Sequence, residues 1–157
     1  MGAAAGDEGV CRIILPHCQL DDLEQMLAWE QQDAHRDDTP FETLIALTRD
    51  YFNAKVVDFA QVVCAMPALT TLGGKVLRAC REIPYGQTVS YSGLARQIGS
   101  PDAARAVAAA LGKNPTPLVI PCHRVTYAGG RLGGFTAPGG TELKARMLDL
   151  EKLNAPA

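Results

Sequence analysis

Two short helices separated by a glycine turn are the feature that most limits how this chain can fold. Residues 90–97 predict a short helix, which Gly99 ends. Residues 100–102, Ser-Pro-Asp, predict the start of a second helix, because they supply a capping side chain, a proline for the first turn and an acid at the positive end of the helix dipole. We expect this helix to end at Leu111, before Gly112. Two short helices joined by such a turn fit a helix-turn-helix.

The second of these helices has two different faces. At about 100° per residue, one side carries Ala103, Val107, Ala110 and Leu111, and the other carries Arg105, Ala108, Ala109 and Gly112. One arginine among small residues would let the helix backbone approach a nucleic-acid groove while the guanidinium projects. The alternative is an ordinary solvent-exposed face, because alanine is the best helix former. The residues alone leave both interpretations open.

Charge is divided unevenly along the 157 residues, although the net charge of the whole chain is only −2. Residues 1–68 contain four basic and twelve acidic residues, a net charge of −8. Residues 69–157 contain eleven basic and five acidic residues, a net charge of +6. This asymmetry predicts that the second half binds a polyanion. The alternative is that the opposite charges only help the two halves to dock on each other.

Composition excludes several classes of protein. A chain with 47% apolar and 20% charged residues is typical of a globular protein. No apolar run approaches the roughly 18 residues that a membrane span needs, so we expect no membrane partner. The first eight residues lack the basic and apolar regions of a secretory signal, which predicts a cytoplasmic protein, associated with the nucleoid if bacterial.

The cysteines predict reduced thiols. Their odd number and irregular spacing do not form a disulfide framework; they are Cys11, Cys18, Cys64, Cys80 and Cys122. Four residues, Cys11, His17, Cys18 and His35, are of types that bind zinc, but they lack the spacing of the ligand pairs in a zinc finger. We therefore expect no metal.

Periodicity and turn residues give a coarse series of elements. In the first half these are a loose tail at 1–9, a strand at 10–15, a helix at 20–32, a polar linker at 33–38, a helix starting at Thr39-Pro40 and ending near 53, and a strand at 56–63. Residues 67–71 mark a boundary. In the second half, a helix at 75–82 precedes a Pro-Gly turn at 83–86, and a C-terminal helix buries Leu143, Met147 and Leu150.

Cys122 is the candidate nucleophile, because it alone among the cysteines lies directly beside a histidine and an arginine. Pro121 predicts a strand end or a tight turn at this point. Cationic surroundings lower the pKa of a thiol, and the thiolate is the nucleophile. Neighbouring strand residues point to opposite faces, so either the backbone bends at His123 or a water carries the proton. His123 is the candidate base, and Glu151, at the margin of the C-terminal apolar stripe, could orient it. The alternative is that Glu151 is a solvated glutamate at a helix end.

Residues 120–125, Ile-Pro-Cys-His-Arg-Val, resemble the signature of the O6-alkylguanine-DNA alkyltransferases, also called methylated-DNA–protein-cysteine methyltransferases. Residues 83–91 are similar to the family's IPYGxTxSY stretch, and residues 104–107 with Asn114-Pro115 match its recognition helix and hinge. The resemblance covers about residues 72–151 and extends weakly to the YFNAK sequence at 51–55.

The resemblance implies a function and a set of site residues. The protein would be a monomer that binds double-stranded DNA containing O6-alkylguanine and transfers the alkyl group, once and irreversibly, to Cys122 without a cofactor; O4-alkylthymine is a second expected substrate. Base flipping takes the target out of the stack. The expected catalytic residues are Cys122, His123, Glu151 and Tyr91. The expected DNA-binding residues are Arg105, Tyr91, Ser92, Ala104 and Ala108. The expected pocket residues are Asn114, Val125, Phe135 and Thr136.

The sequence departs from the family pattern in three places. Leu72 and Leu77 replace the family's Phe and Trp, and Phe135 stands where Tyr is common. The loop at 133–140 is two residues longer than in some members, which leaves open whether Thr136 contacts O6. The first half lacks the usual strand-Gly motif. We therefore predict a shortened or divergent α/β N-terminal domain at 1–68 and a mainly α-helical C-terminal domain with a helix-turn-helix at 69–157.

Two other functions are compatible with parts of the sequence. An alkyltransferase-like protein would bind lesions without accepting the group, but such proteins replace the acceptor cysteine that is present here as Cys122. A Cys–His hydrolase would leave the helix-turn-helix and the basic region unexplained.

Overall fold

The computed structural model describes residues 1–15, 20–30 and 36–155. Its elements in chain order are β1 (Gly2–Gly6), β2 (Gly9–Ile14), α1 (Leu20–Glu30), α2 (Glu42–Phe52), α3 (Leu72–Arg81), β3 (Val89–Ser90), α4 (Tyr91–Gln97), α5 (Ala104–Leu111), β4 (Val125–Thr126) and α6 (Gly140–Asn154). Short 3-10 turns lie at Thr39–Phe41, Cys122–Arg124 and Ala128–Gly130.

The N-terminus forms a β-hairpin. β1 pairs antiparallel with β2, from Gly2 opposite Ile14 to Gly6 opposite Gly9. The prediction of a loose tail at 1–9 is therefore wrong, because alanine and glycine have low strand propensity and conceal a strand that tertiary packing stabilises. A Cβ at Gly2 would lie 2.8 Å from Cδ1 of Leu27, so the small residues let α1 pack closely on the hairpin.

β2 has a second neighbour on its other edge. The backbone N–H of Val10 donates to the carbonyl of Val63, and that of Ala65 donates to the carbonyl of Val10. These bonds form one bridge at Cys64 but no strand over 56–63, so that prediction is wrong. Asp58 explains the difference, because its side chain accepts from the N–H of Ala60 and favours a turn.

The other N-terminal elements confirm the periodicity. α1 and α2 lie where helices were predicted, and residues 39–41 form a 3-10 first turn with proline near its start. α3 begins three residues earlier than predicted, at Leu72, because the side chain of Thr71 caps it by accepting from the N–H of Gly74. The glycines at 73 and 74 conceal this first turn in the sequence.

The paired short helices are α4 and α5, which pack on each other. Ser90 caps α4 by accepting from the N–H of Gly93, and Gly99 has φ +73 in the turn that follows. The predicted cap at Ser100 is wrong, since residues 100–103 form a separate turn and α5 begins at Ala104 without a side-chain cap.

The two predicted faces of α5 are present. Val107 and Leu111 are buried, whereas Arg105, Ala109 and Gly112 are exposed. Ala108 is half-buried and packs against the core. The helix therefore presents Arg105 on its outer side.

One core joins the two halves of the chain. It includes Ile13, Leu44 and Tyr51 from the first half and Val76 and Ile120 from the second. β3 and β4 form a two-residue parallel pair between α4 and the Cys122 turn. The architecture confirms the predicted class, an α/β first half and a mainly helical second half. No helix within the described ranges has the length and apolarity to cross a membrane.

Candidate functional site

Pro121 sets the position of Cys122 by bending the backbone. Its φ and ψ of −79° and 61° are those of an inverse γ-turn, and the N–H of Cys122 donates to the carbonyl of Ile120 at 2.8 Å. The chain then makes the 3-10 turn at 122–124. The sequence left open whether the backbone bends beside His123, and it does.

The thiol of Cys122 is buried and receives a hydrogen bond from Nδ2 of Asn114 at 3.1 Å. The same Nδ2 donates to the carbonyl of Ile120, and Oδ1 of Asn114 accepts from the N–H of Thr116. Asn114 therefore ties together the loop that leads to the nucleophile.

The predicted lowering of the Cys122 pKa is wrong for this structure. Burial raises the pKa of Cys122, and this effect outweighs the lowering by the Asn114 hydrogen bond and by the charge of Lys144. The neighbouring Arg124 contributes little because it turns away to bind Glu151. A thiol with a raised pKa is protonated at neutral pH and needs a base.

His123 and Glu151 form a buried pair. Oε1 of Glu151 lies 2.7 Å from Nε2 of His123, and each side chain is 1% exposed. Burial lowers the pKa of His123 despite the carboxylate, so the imidazole is neutral near pH 7. Its Nδ1 is buried and has no hydrogen-bond partner among the described residues. With Nε2 engaged by Glu151, Nδ1 is the nitrogen that can take a proton.

The carboxylate of Glu151 accepts hydrogen bonds from separate parts of the chain. Oε1 accepts from the Tyr51 hydroxyl at 2.9 Å and from Nη2 of Arg124 at 3.0 Å. Oε2 accepts from Nε of Arg124 at 2.9 Å and from the N–H of Gly86 at 3.0 Å. Burial by itself would raise the pKa of Glu151, but the bonds and charges of His123 and Arg124 prevail and lower it to about 2. The alternative of a solvated glutamate is thereby excluded.

Tyr51, Arg124 and Lys144 are site residues that the sequence analysis missed. Tyr51 lies in the weakly similar 51–55 segment and is fully buried. Lys144 is also buried, and its Nζ donates to the carbonyl of Val125 at 2.6 Å. The signal for Lys144 was its spacing, because positions 144, 147 and 151 share one face of α6.

A pocket of about 310 Å³ opens onto Cys122. Its lining among the described residues consists of 12–14, Met26, 112–114, Pro117, Cys122 and 135–138. Three predicted pocket residues, Asn114, Phe135 and Thr136, belong to this lining. Thr136 donates its hydroxyl proton to the carbonyl of Gly112 at 2.9 Å. Val125, the fourth, is fully buried beneath the site and does not line the pocket.

Tyr91 lies on a separate side of the site, in the first turn of α4. The Tyr91 ring contacts the ring of Tyr127, with centroids 5.1 Å apart. Nζ of Lys144 lies 5.8 Å from the centroid of the Tyr91 ring. A Cβ at Gly133 would collide with the Tyr91 ring, so the loop backbone touches it directly. Ser92 is half-buried, with its hydroxyl 3.2 Å from that of Ser90.

Over the described ranges, no group of three or more His, Cys, Asp or Glu side chains could hold a metal. Of the residues weighed for zinc, His17, Cys18 and His35 lie outside those ranges. Cys11 is half-buried, and its thiol points to the carbonyl of Ala4 at 3.5 Å.

Comparison with known proteins places these residues in a family. Residues 72–153 match the model of the DNA-binding domain of 6-O-methylguanine DNA methyltransferase. A methylated-DNA–protein-cysteine methyltransferase of Methanothermobacter thermautotrophicus is 37% identical over 155 residues, which cover 96% of this chain and 78% of that protein. The protein of the same name from Mycolicibacterium paratuberculosis is 51% identical over 83 residues, 53% of this chain, but the match spans only 49% of that relative's length.

Solved structures extend the similarity to the whole chain. The structure of Mycobacterium tuberculosis OGT in complex with DNA is 33% identical, with a TM-score of 0.79 over 99% of this chain and 88% of that one. The crystal structure of M. tuberculosis O6-methylguanine methyltransferase gives a TM-score of 0.73 at 34% identity, over 99% and 93% of the two chains. The family model, the relative matched over 96% of this chain and the shared fold agree, and the chain belongs to the methylated-DNA–protein-cysteine methyltransferase family.

Proposed function

We propose that this protein repairs DNA by transferring the alkyl group of O6-alkylguanine, and of O4-alkylthymine, irreversibly to Cys122. The observation that carries the proposal is a buried thiol that opens into a pocket and is followed directly by a neutral histidine held by a buried glutamate. The protein acts as a cytoplasmic monomer on double-stranded DNA. Residues 69–157 form the DNA-binding and acceptor domain, and residues 1–68 form an accessory domain.

The proton of Cys122 moves first. A water passes this proton to Nδ1 of His123, and Glu151 stabilises the resulting imidazolium. The hydrogen bond from Asn114 and the charge of Lys144 stabilise the thiolate. These two interactions oppose only part of the burial that raises the thiol pKa, so the reaction also needs His123 as a base.

A single displacement follows. The sulfur of Cys122 forms a bond to the alkyl carbon while the bond from that carbon to O6 breaks, and the electron pair stays on the purine. The purine takes up one proton, so thiol and O6-alkylguanine become thioether and guanine. Both reactants are consumed one to one, and no cofactor enters the balance. Reversal would require the Cys122 thiolate to leave from an unactivated thioether, which is unfavourable, so each molecule acts once.

DNA recognition uses the outer side of the second helix of the pair. Arg105 is exposed on α5, and its neighbours Ala104 and Ala108 are small and half-buried, which suits close approach of the helix to a groove. Arg105 fills the gap left by the flipped base, whose extrusion costs a few kcal/mol. Tyr91 and Ser92, at the start of α4, contact the adjacent backbone. A structure of the same fold, 33% identical, was solved in complex with DNA, which supports DNA as the partner.

The test is the mass of the intact protein after incubation with a duplex containing O6-methylguanine. One CH2 increment, mapped to the peptide containing Cys122 and without further turnover, is expected. Cys122→Ala should show no increment but still bind the duplex, whereas Cys11→Ser, which removes the half-buried thiol of β2, should react normally. Repeated turnover would instead identify a hydrolase, and binding without any increment in the native protein would identify a lesion-binding protein.

A further inference from the structure

The pocket at Cys122 has one wall that lies outside the segment matching the family model. Residues 12–14 of β2 and Met26 of α1 line it, whereas the family model covers only 72–153. Met26 is 37% exposed, so its side chain lies at the border between the pocket and solvent. The first half of the chain thus helps to shape the space in which the thiol reacts.

This wall is fixed to the nucleophile's loop by a backbone bond. The N–H of Ile13 donates to the carbonyl of Pro115 at 2.8 Å, and the preceding residue, Asn114, donates to the thiol of Cys122. Only a few covalent and hydrogen bonds therefore separate the edge of β2 from the reacting sulfur. These bonds set the position of β2 relative to Cys122.

α1 is held on the hairpin by close packing. The space at Gly2 is filled by Leu27, and Leu23 is 4% exposed against the same strands. Met26 directly precedes Leu27 and lies three residues after Leu23. Because these two leucines pack on the hairpin, they fix the orientation of α1 that places Met26 at the pocket. A methionine suits such a border, because its unbranched thioether side chain is apolar and adapts to the shape of its neighbour.

We propose that Met26 limits the size of the alkyl group that Cys122 can accept. The inference rests on the proposed function and adds the substrate range of the same site. Pro117 and Phe135 supply apolar surface from the second half, and Met26 supplies it from the first. A methyl group leaves this space largely unfilled, whereas a benzyl group must displace or pack against the Met26 side chain.

The experiment compares rates of transfer from two duplexes of the same sequence, one with O6-methylguanine and one with O6-benzylguanine. The quantity measured is the ratio of the benzyl rate constant to the methyl rate constant. Met26→Ala should raise this ratio at least about tenfold, and Met26→Trp should lower it by a similar factor, since one methylene in an apolar pocket already changes discrimination by about tenfold or more.

Trp29→Ala is the matched control. Trp29 lies one turn along α1, is 83% exposed and does not line the pocket, so its removal should leave the ratio at the native value. An unchanged ratio in both Met26 variants, with normal methyl transfer by the native protein, overturns the inference alone. A native protein that accepts no methyl group overturns the proposed function, and the inference with it.

Discussion

Glu151 connects His123, the proposed base, to three other parts of the structure. Its carboxylate binds His123, Arg124, the hydroxyl of Tyr51 from the first half and the backbone N–H of Gly86. A buried carboxylate is stable only when such donors surround it. The group that orients the base therefore also holds the two halves of the chain together.

At this scale we expect Glu151→Gln to lower both stability and the rate of transfer. The free energy of unfolding should fall by about 3 kcal/mol, because the charge of Arg124 loses its buried counter-charge. Transfer should slow, since an amide stabilises the imidazolium of His123 poorly. Denaturant unfolding and single-turnover kinetics measure the two effects.

The pH dependence of stability provides an independent readout of the same residue. Because the pKa of Glu151 is lowered on folding, its contribution is complete above the ordinary value of 4.5 and is lost as the pH falls towards about 2. Glu151→Gln should flatten this part of the stability curve. Asp149→Asn, an exposed change two residues earlier, should leave both stability and rate near native values; equal losses in the two variants would contradict the role of Glu151.

At the scale of elements, a loop shapes the site together with β2 and α1. The segment that follows β4 returns over Tyr91, where Gly133 is buried against the phenol ring. The next residue, Gly134, is exposed, and a Cβ there would meet no atom within 4 Å. Two adjacent glycines therefore differ completely in what a methyl group would encounter.

We expect Gly133→Ala to displace the Tyr91 ring and to slow transfer from duplex DNA at least about tenfold, equivalent to about 1.4 kcal/mol. Its Cβ would lie 2.8 Å from Cε2 of Tyr91, closer than atoms can pack. Gly134→Ala should react at nearly the native rate. Single-turnover rates on one duplex measure both variants, and equally slow or equally normal rates would argue against the assigned contact.

At the scale of the whole molecule, the charge of the second half governs the expected affinity for DNA. The net −2 of the chain combines −8 in residues 1–68 with +6 in residues 69–157. Salt ions compete with the basic half for phosphates, whereas the acidic half carries a net negative charge that DNA repels.

The affinity for duplex DNA, measured with the unreactive Cys122→Ala protein, should therefore fall steeply as salt rises. Adding Arg105→Ala should weaken binding and make the slope of log affinity against log salt shallower by about one. Arg49→Ala, an exposed arginine of the acidic half, should leave that slope unchanged. A slope that responds equally to both changes would contradict DNA binding through α5.

Local signals predicted much of the second half because its elements are bounded by strong turn residues. Gly99, the Pro-Gly turn at 83–86 and Pro121 bend the chain as expected. Signals failed where small residues pair or pack, at the β1 strand and the first turn of α3, and where side chains compete with the backbone, at Asp58 and Ser100. The division into domains at 68 and 69 stays a prediction.

The sequence by itself determined the family resemblance, the candidate nucleophile, the paired helices and the charge of each half, because these depend on residue type and local spacing. Only the tertiary structure decided that burial raises the pKa of Cys122, that Tyr51 and Arg124 share Glu151, and that Met26 borders the pocket. Burial and contacts between distant residues depend on how the whole chain packs. No local sequence pattern contains this information about burial and long-range contacts, although these contacts set the chemistry of the site.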